Sequence, residues 1–398
     1  MNKDCFATAI VVTTSVLISG LLAKDAVSQP SDPAAPPAAV KPVEVRKLDD
    51  VLEPIRLQYK LPALAAAVVK NDRLISLGAV GVRRTDNKDS VTSNDSFHLG
   101  SCTKAMTATL CAILVQQGKL KWDSTIGEVF ADQRDKIKPE WHKVTLEQLL
   151  RHRSGLPDDT VPDATFLRVR ALSGPMLKQR RQFIELVLSQ NQTTAPGVKY
   201  QYSNAGYVLA GAMCERVTGK TWEDLMREML FKPLAMTTAG FGPPGSAKAV
   251  DQPCGHFESG EKLAPMPPGS PFADNPAVMG PCGTVHCSLP DWAKFAALHL
   301  RGEKGKDPLL PDEVFRKLHT PTDGDYAYGW IVTKRGWAGG TVLTHSGSNT
   351  LWLAVIWVAP KLDTAYLAAT NVGPNKGFEA CDDAIGKLIA ASKEKNHP

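Results

Sequence analysis

The 398-residue sequence has no long run of like charge, no Cys-x-x-Cys pair, no internal repeat and no second apolar span after residue 23. Each absence removes a class of explanation. Lys and Arg number 46 against 41 acids, so the net charge of +5 is small and spread out, and no nucleic-acid-binding face is expected. Without a Cys-x-x-Cys pair, the grouping that hints at zinc is Cys282, His286 and Cys287. It has no fourth ligand at a workable spacing, so neither a metal nor another cofactor is expected. There is no H-E-x-x-H, which argues against a zinc hydrolase, and no G-x-S-x-G, which argues against an α/β-hydrolase elbow. Beyond Cys5 there are seven cysteines, an odd number that cannot all pair; Cys254 with Cys282 or Cys287 is a conceivable bridge.

What is present begins with a 43% apolar composition, enough for a substantial core. "MNKDCF" is short and polar, "ATAIVVTTSVLISGLLA" is apolar and "AVSQ" offers small residues for cleavage near Ser28. Residues 1–28 therefore read as a secretory signal, with a retained membrane anchor as the alternative. The expected location is periplasmic or extracellular. A Pro/Ala-rich tether over 29–44 follows, leaving 45–398 as the folded domain.

Within that domain, "LPALAAAVVKNDRLISLGAVGVRR" predicts a hairpin turning at Asn71-Asp72. Helical periodicity covers Ser101 to Gln117, Thr145 to His152, Arg181 to Ser189, Ala205 to Thr218 and Thr221 to Leu230. Thr145 and Gln148 have capping-box spacing. Phe241 to Gly283 is rich in Pro and Gly and reads as a long loop. A helix at "DWAKFAALHLRG", three or four strands and a last helix from about Gly377 complete the chain. Strands at both ends with helices between them predict a mixed α/β (α+β) fold. Its antiparallel sheet would come from about 45–120 and 284–398, flanked by helices, with a mostly helical insertion over about 121–283.

Ser101 and Lys104 stand at i and i+3, neighbours on one helical face. A serine hydroxyl is a poor nucleophile until a base takes its proton, and a neutral lysine amine can do so. A lysine ordinarily titrates near ~10.4, so such a base needs an apolar surround. The pair alone is weak, since Ser392 and Lys395 repeat the spacing in a charged tail. Tyr202-Ser203-Asn204 adds a phenol that can relay protons and an amide that can hold a lysine or a carbonyl. His345-Ser346-Gly347-Ser348 ends a strand, with Gly347 permitting close backbone approach. Taken singly, each segment also reads as a helix cap, a buried tyrosine or a polar turn.

Together and in this order, the three segments resemble the penicillin-recognising serine hydrolases. More closely they resemble class C β-lactamases, D-Ala-D-Ala carboxypeptidases and related esterases. "LLRHRSGLP", "CGTVHCSLPDWAKF" and "YAYGWIV" extend the likeness from about Leu48 to the final helix. The resemblance implies a β-lactamase/transpeptidase-like fold, with Ser101 as the acylated nucleophile and Lys104 and Tyr202 sharing its proton. It further implies that Asn204 fixes Lys104 and the substrate amide. The N–H groups of Ser101 and Ser348 would form the oxyanion hole, and His345 and Ser346 would meet the substrate's carboxylate side. The implied substrate is a small molecule or peptide: a peptidoglycan-like peptide, an ester or a β-lactam. True class C β-lactamases usually have Lys where this chain has His345, so efficient lactam hydrolysis is not expected. Asn349, Leu351 and Trp352 are candidates to reshape the pocket rim, and Cys102 reads as a small packing residue. The alternatives are a weak β-lactamase and a catalytically inactive peptidoglycan-binding relative.

Overall fold

The computed structural model describes residues 44–158, 164–260 and 262–394. The predicted signal over 1–28, nearly all of the predicted tether, and Lys395 of the second Ser-x-x-Lys lie outside the described residues. No helix among the described residues is long and apolar enough to cross a membrane.

The strands in chain order are β1 (Arg46–Lys47), β2 (Ala63–Lys70), β3 (Arg73–Gly81), β4 (Ser96–His98), β5 (Gly240–Phe241) and β6 (Gly255–Ser259). They continue with β7 (Lys262–Met266), β8 (Val285–Ser288), β9 (Ile331–Arg335), β10 (Gly340–Ser348), β11 (Leu353–Ala359) and β12 (Thr364–Thr370). The main sheet has the order β1-β3-β2-β12-β11-β10-β9, so strands from both ends of the domain meet at the β2–β12 pair. Its ladders are antiparallel, apart from the short parallel pairing of β1 with β3. The predicted hairpin forms, and Asn71 and Asp72 both take positive φ at its turn, as expected of Asn and Asp.

The central strands read as unbroken apolar runs because helices cover both faces. In β2, Ala63, Ala65, Ala67 and Val69 face the main core. Leu64, Ala66 and Val68 alternate with them onto helices Asp49–Gln58 and Pro374–Glu394, whose Leu52, Ile55, Ala380, Cys381 and Ile385 they meet. On the main-core face lies helix Thr103–Gln116, with twelve buried residues, packed against helix Asn204–Thr218.

Between these helices the predicted elements appear with shifted ends. Helix Leu146–Leu150 carries the full Thr145/Gln148 capping box. Helix Met176–Leu188 starts earlier than the apolar period suggested, after Pro175. Phe241 to Gly283 is corrected. The segment contains the β6–β7 hairpin, and His256 bridges in parallel to Val372 beside the main sheet. Pro265 within β7 cannot donate to a ladder, which is why the segment reads as a loop. The bridge from Cys254 to Cys282 or Cys287 is also corrected: all three are buried thiols and none is in a disulfide. Cys282 Sγ instead donates to Met279 O at 3.0 Å.

Candidate active site

The nucleophile candidate does not sit inside a regular α-helix. Gly100–Cys102 forms a 3₁₀ turn that leads β4 into helix Thr103–Gln116. Gly100 adopts φ +49, and a Cβ there would lie 2.3 Å from Ser348 N. Facing it, a Cβ on Gly347 would stand 2.1 Å from Leu99 O and 2.6 Å from Ser101 N. Only glycines allow these two chains to touch, and their contact brings the backbone N–H groups of Ser101 and Ser348 together.

Lys104, one turn along, is fully buried. Its Nζ lies 3.0 Å from Ser101 Oγ, 2.8 Å from Asn204 Oδ1 and 2.8 Å from Cys282 O. The rings of Tyr202 and Tyr207 stand 4.9 and 5.6 Å away. Tyr202 Oη donates to Ser101 Oγ at 2.8 Å. Four of the sequence candidates, Ser101, Lys104, Tyr202 and Asn204, are thus gathered around one hydroxyl.

Asn204 opens helix Asn204–Thr218, which Tyr207 ties down by donating to Leu150 O at 2.7 Å. Cys282 O arrives by close packing. A Cβ on Gly211 would meet Pro281 Cγ at 2.4 Å, and Thr107 Oγ1 donates to Pro281 O at 2.7 Å. The sequence reading missed this ligand because a carbonyl carries no side-chain signature.

It also missed His152. This residue has φ +55 and is 1% exposed. Its carbonyl accepts from Gln201 N at 2.7 Å and its Nδ1 accepts from Ser203 N at 3.1 Å, so it grips the chain on both sides of Tyr202. Its ring packs on the Tyr202 ring, 4.3 Å between centroids. Nε2, which carries the ring hydrogen, is enclosed without a hydrogen-bond partner among the described residues. Burial first, with smaller contributions whenever Lys104 or His345 is charged, holds this imidazole well below its ordinary pKa.

On the third segment, Ser346 is exposed and Ser348 half-buried, whereas His345 is only 5% exposed. His345 Nδ1 meets Ser346 O at 2.6 Å and Nε2 stands 3.4 Å from Tyr326 Oη. Burial, with a smaller contribution from Lys104 when it is charged, pushes its pKa down to about 4. Leu351 and Trp352 are corrected from rim to core: they are 5% and 0% exposed, and Trp352 stacks edge-on with Phe97 at 6.0 Å. Their apolar bulk belongs to the main core. Asn349 turns inward to Asp274. Cys102 is buried with Sγ 3.7 Å from His345 O, and burial pushes its thiol pKa up.

Known proteins match this frame. The family described as Beta-lactamase matches residues 45–390. Penicillin-binding protein 4 of Amycolatopsis lactamdurans is 29% identical over 337 residues, 81% of this chain and 84% of that protein. The unguisins hydrolase ungD' of Aspergillus campestris is 24% identical over 331 residues, covering 79% of this chain and 59% of the hydrolase. Among solved structures, the D-amino acid amidase from Ochrobactrum anthropi SV3, complexed with L-phenylalanine amide, superposes with a TM-score of 0.69 at 21% identity. That match covers 87% of this chain and 99% of the amidase. EstCE1, a hydrolase with promiscuous acyltransferase activity, gives 0.71 at 16% identity over 86% of this chain and 98% of its own. At such identities the structural likeness speaks to fold alone. With the family matched from the first strand to the final helix, the chain belongs to the beta-lactamase family of serine hydrolases.

Proposed function

We propose that the protein is an exported serine hydrolase that acts through a covalent acyl-enzyme on D-amino-acid peptides or small esters. The observation that carries this is the surround of Lys104 Nζ. Asn204 Oδ1 and Cys282 O can only accept hydrogen bonds, so each takes one N–H. The remaining direction on the nitrogen faces Ser101 Oγ. In the neutral amine that direction is the lone pair, and it is aimed at the hydroxyl proton.

In the reaction, Ser101 Oγ attacks the substrate carbonyl while its proton passes to Lys104. The carbonyl oxygen gains charge between the N–H groups of Ser101 and Ser348, where one missing donor typically costs ~3 kcal/mol. The bond to the leaving alcohol or amine breaks as Tyr202, hydrogen-bonded to the same oxygen, hands it a proton that Lys104 replaces. Water then attacks the acyl-serine, gives its proton to the Tyr202/Lys104 pair, and frees the acid and the serine hydroxyl. Asn204 would hold the substrate amide as well as the amine.

His345 guides substrate choice. Its neutral ring, engaged by its own chain and by Tyr326, offers no charge to a substrate carboxylate near neutral pH. This supports small esters and carboxyl-blocked D-amino-acid peptides over substrates with a free carboxylate, β-lactams and free D-Ala-D-Ala termini alike. The test is a screen of purified protein and its Ser101→Ala variant against short-chain esters, D-Ala-D-Ala peptides and a chromogenic cephalosporin. Ester or peptide turnover that vanishes in the variant is expected. Cephalosporin as the best substrate would overturn the substrate assignment, and turnover surviving in the variant would overturn the mechanism.

A further inference from the structure

For the Ser101 and Ser348 N–H groups to converge on one oxygen, two separate backbone segments must be held in register, and both are fastened to one buried carboxylate. On the nucleophile side, Gly100 N–H donates to His98 Nδ1 at 3.1 Å. Accepting there fixes the ring hydrogen on Nε2, which donates to Asp274 Oδ2 at 2.9 Å. On the opposite side, Asn349, next to Ser348, donates Nδ2 to Asp274 Oδ1 at 2.9 Å. His98 is fully buried, and the Asp274 side chain is 6% exposed.

Asp274 is itself anchored. Asn275 N donates to Oδ1 at 2.7 Å, and Arg170 donates to the carbonyl of Asp274 at 3.2 Å. The Arg170 guanidinium lies 5.3 Å from the rings of both Phe166 and Phe272. The acylation and hydrolysis steps have no use for this carboxylate, and a buried carboxylate carries a desolvation penalty that hydrogen bonds only offset. Its two oxygens are spent on joining the segment before Ser101 to the segment after Ser348.

We infer that Asp274 is a positioning residue for the oxyanion hole, acting as a strap that spaces the Ser101 and Ser348 N–H groups through His98 and Asn349. The inference rests on the acyl-serine function proposed above. The strap touches no substrate, so it acts on the transition state and leaves ground-state binding alone. Displacing a donor by about 1 Å is enough to cost up to ~100-fold in rate.

The experiment compares wild type with Asp274→Ala, Asp274→Asn and Asn349→Ala, counting active sites in each by titration with a serine-reactive phosphonate. Asp274→Ala is expected to lower kcat per active site by about 10- to 100-fold with KM nearly unchanged. Its affinity for an aryl boronic acid, whose tetrahedral oxygen occupies the oxyanion position, should fall in parallel. Asp274→Asn keeps one acceptor and should recover part of the loss. Asn349→Ala cuts one arm of the strap and reads the same effect if Asp274→Ala folds poorly. A merely structural role would lower the number of active sites and the melting temperature but not the rate per site. Rates and boronate affinities within twofold of wild type in both Asp274→Ala and Asn349→Ala would overturn the inference alone, given an inactive Ser101→Ala control. Turnover persisting in that control would overturn the acyl-serine mechanism and the strap with it.

Discussion

Replacing His152 separates packing from hydrogen bonding at Tyr202. His152→Phe keeps a ring against Tyr202 but deprives Ser203 N of the Nδ1 that accepts it at 3.1 Å. Ser203 is 1% exposed, so losing that acceptor costs about 1–3 kcal/mol. Phenylalanine also tolerates φ +55 less well than histidine, adding about 1 kcal/mol. His152→Asn does the reverse: its Oδ1 stands where Nδ1 stood and Asn accepts left-handed backbone, but the ring is gone. Tyr202 Oη sits 2.8 Å from Ser101 Oγ, a distance at which a shift of about 1 Å costs up to ~100-fold in rate. The expected result is a loss of about 2–4 kcal/mol in urea unfolding for His152→Phe. Its kcat should fall about 10- to 100-fold, while His152→Asn stays within about tenfold of wild type. The assay is ester hydrolysis per titrated active site, alongside urea melts. If His152→Phe keeps full kcat, or the two variants lose it equally, the clamp does not position Tyr202.

Other outcomes follow from the same contacts. Lys104→Met should cut acylation per folded molecule by about 10²–10⁴-fold in stopped-flow burst measurements. Arg180 is 1% exposed and pairs with Glu215 and Glu223. Arg180→Met should destabilise by about 3–5 kcal/mol in urea melts, leaving kcat per folded molecule unchanged; replacing both glutamates as well should restore stability. His256 is fully buried, its Nε2 accepting from Thr85 N and its Nδ1 meeting Asn371 O, and burial holds its pKa at about 4 against 6.5. The unfolded chain therefore binds the extra proton. This group's contribution is present above pH 6.5 and is lost, up to about 3 kcal/mol, as pH falls towards 4. His256→Asn should be less stable at pH 7.5 and lose less than wild type on acidification to pH 4.5, as read from urea midpoints.

The parts of the site that the sequence displays are those whose geometry is local. A spacing of three residues puts Ser101 and Lys104 on one face, and Tyr202 and Asn204 flank the start of one helix. The sheet was legible because alternation and apolar runs have a period that strands impose, although the parallel pairing of β1 was not. Cys282 was weighed only for its thiol, whereas its carbonyl holds Lys104, a role any residue could fill. His152 acts through a left-handed backbone that leaves no mark on composition. Asp274 lies in a Pro/Gly-rich stretch whose hairpin was masked by Pro265, and its partners His98 and Asn349 are distant in sequence. Leu351 and Trp352 followed the reactive segment closely enough to look like rim, yet the turn after β10 carries them into the core.

The central claim is that Ser101 becomes covalently acylated. Its most direct measurement is acid-quenched mass spectrometry of the protein mixed with an activated ester. One acyl group per chain is expected, mapped to the peptide containing Ser101 and missing in Ser101→Ala. An adduct on another residue, or turnover with no adduct in rapidly quenched samples, would contradict it.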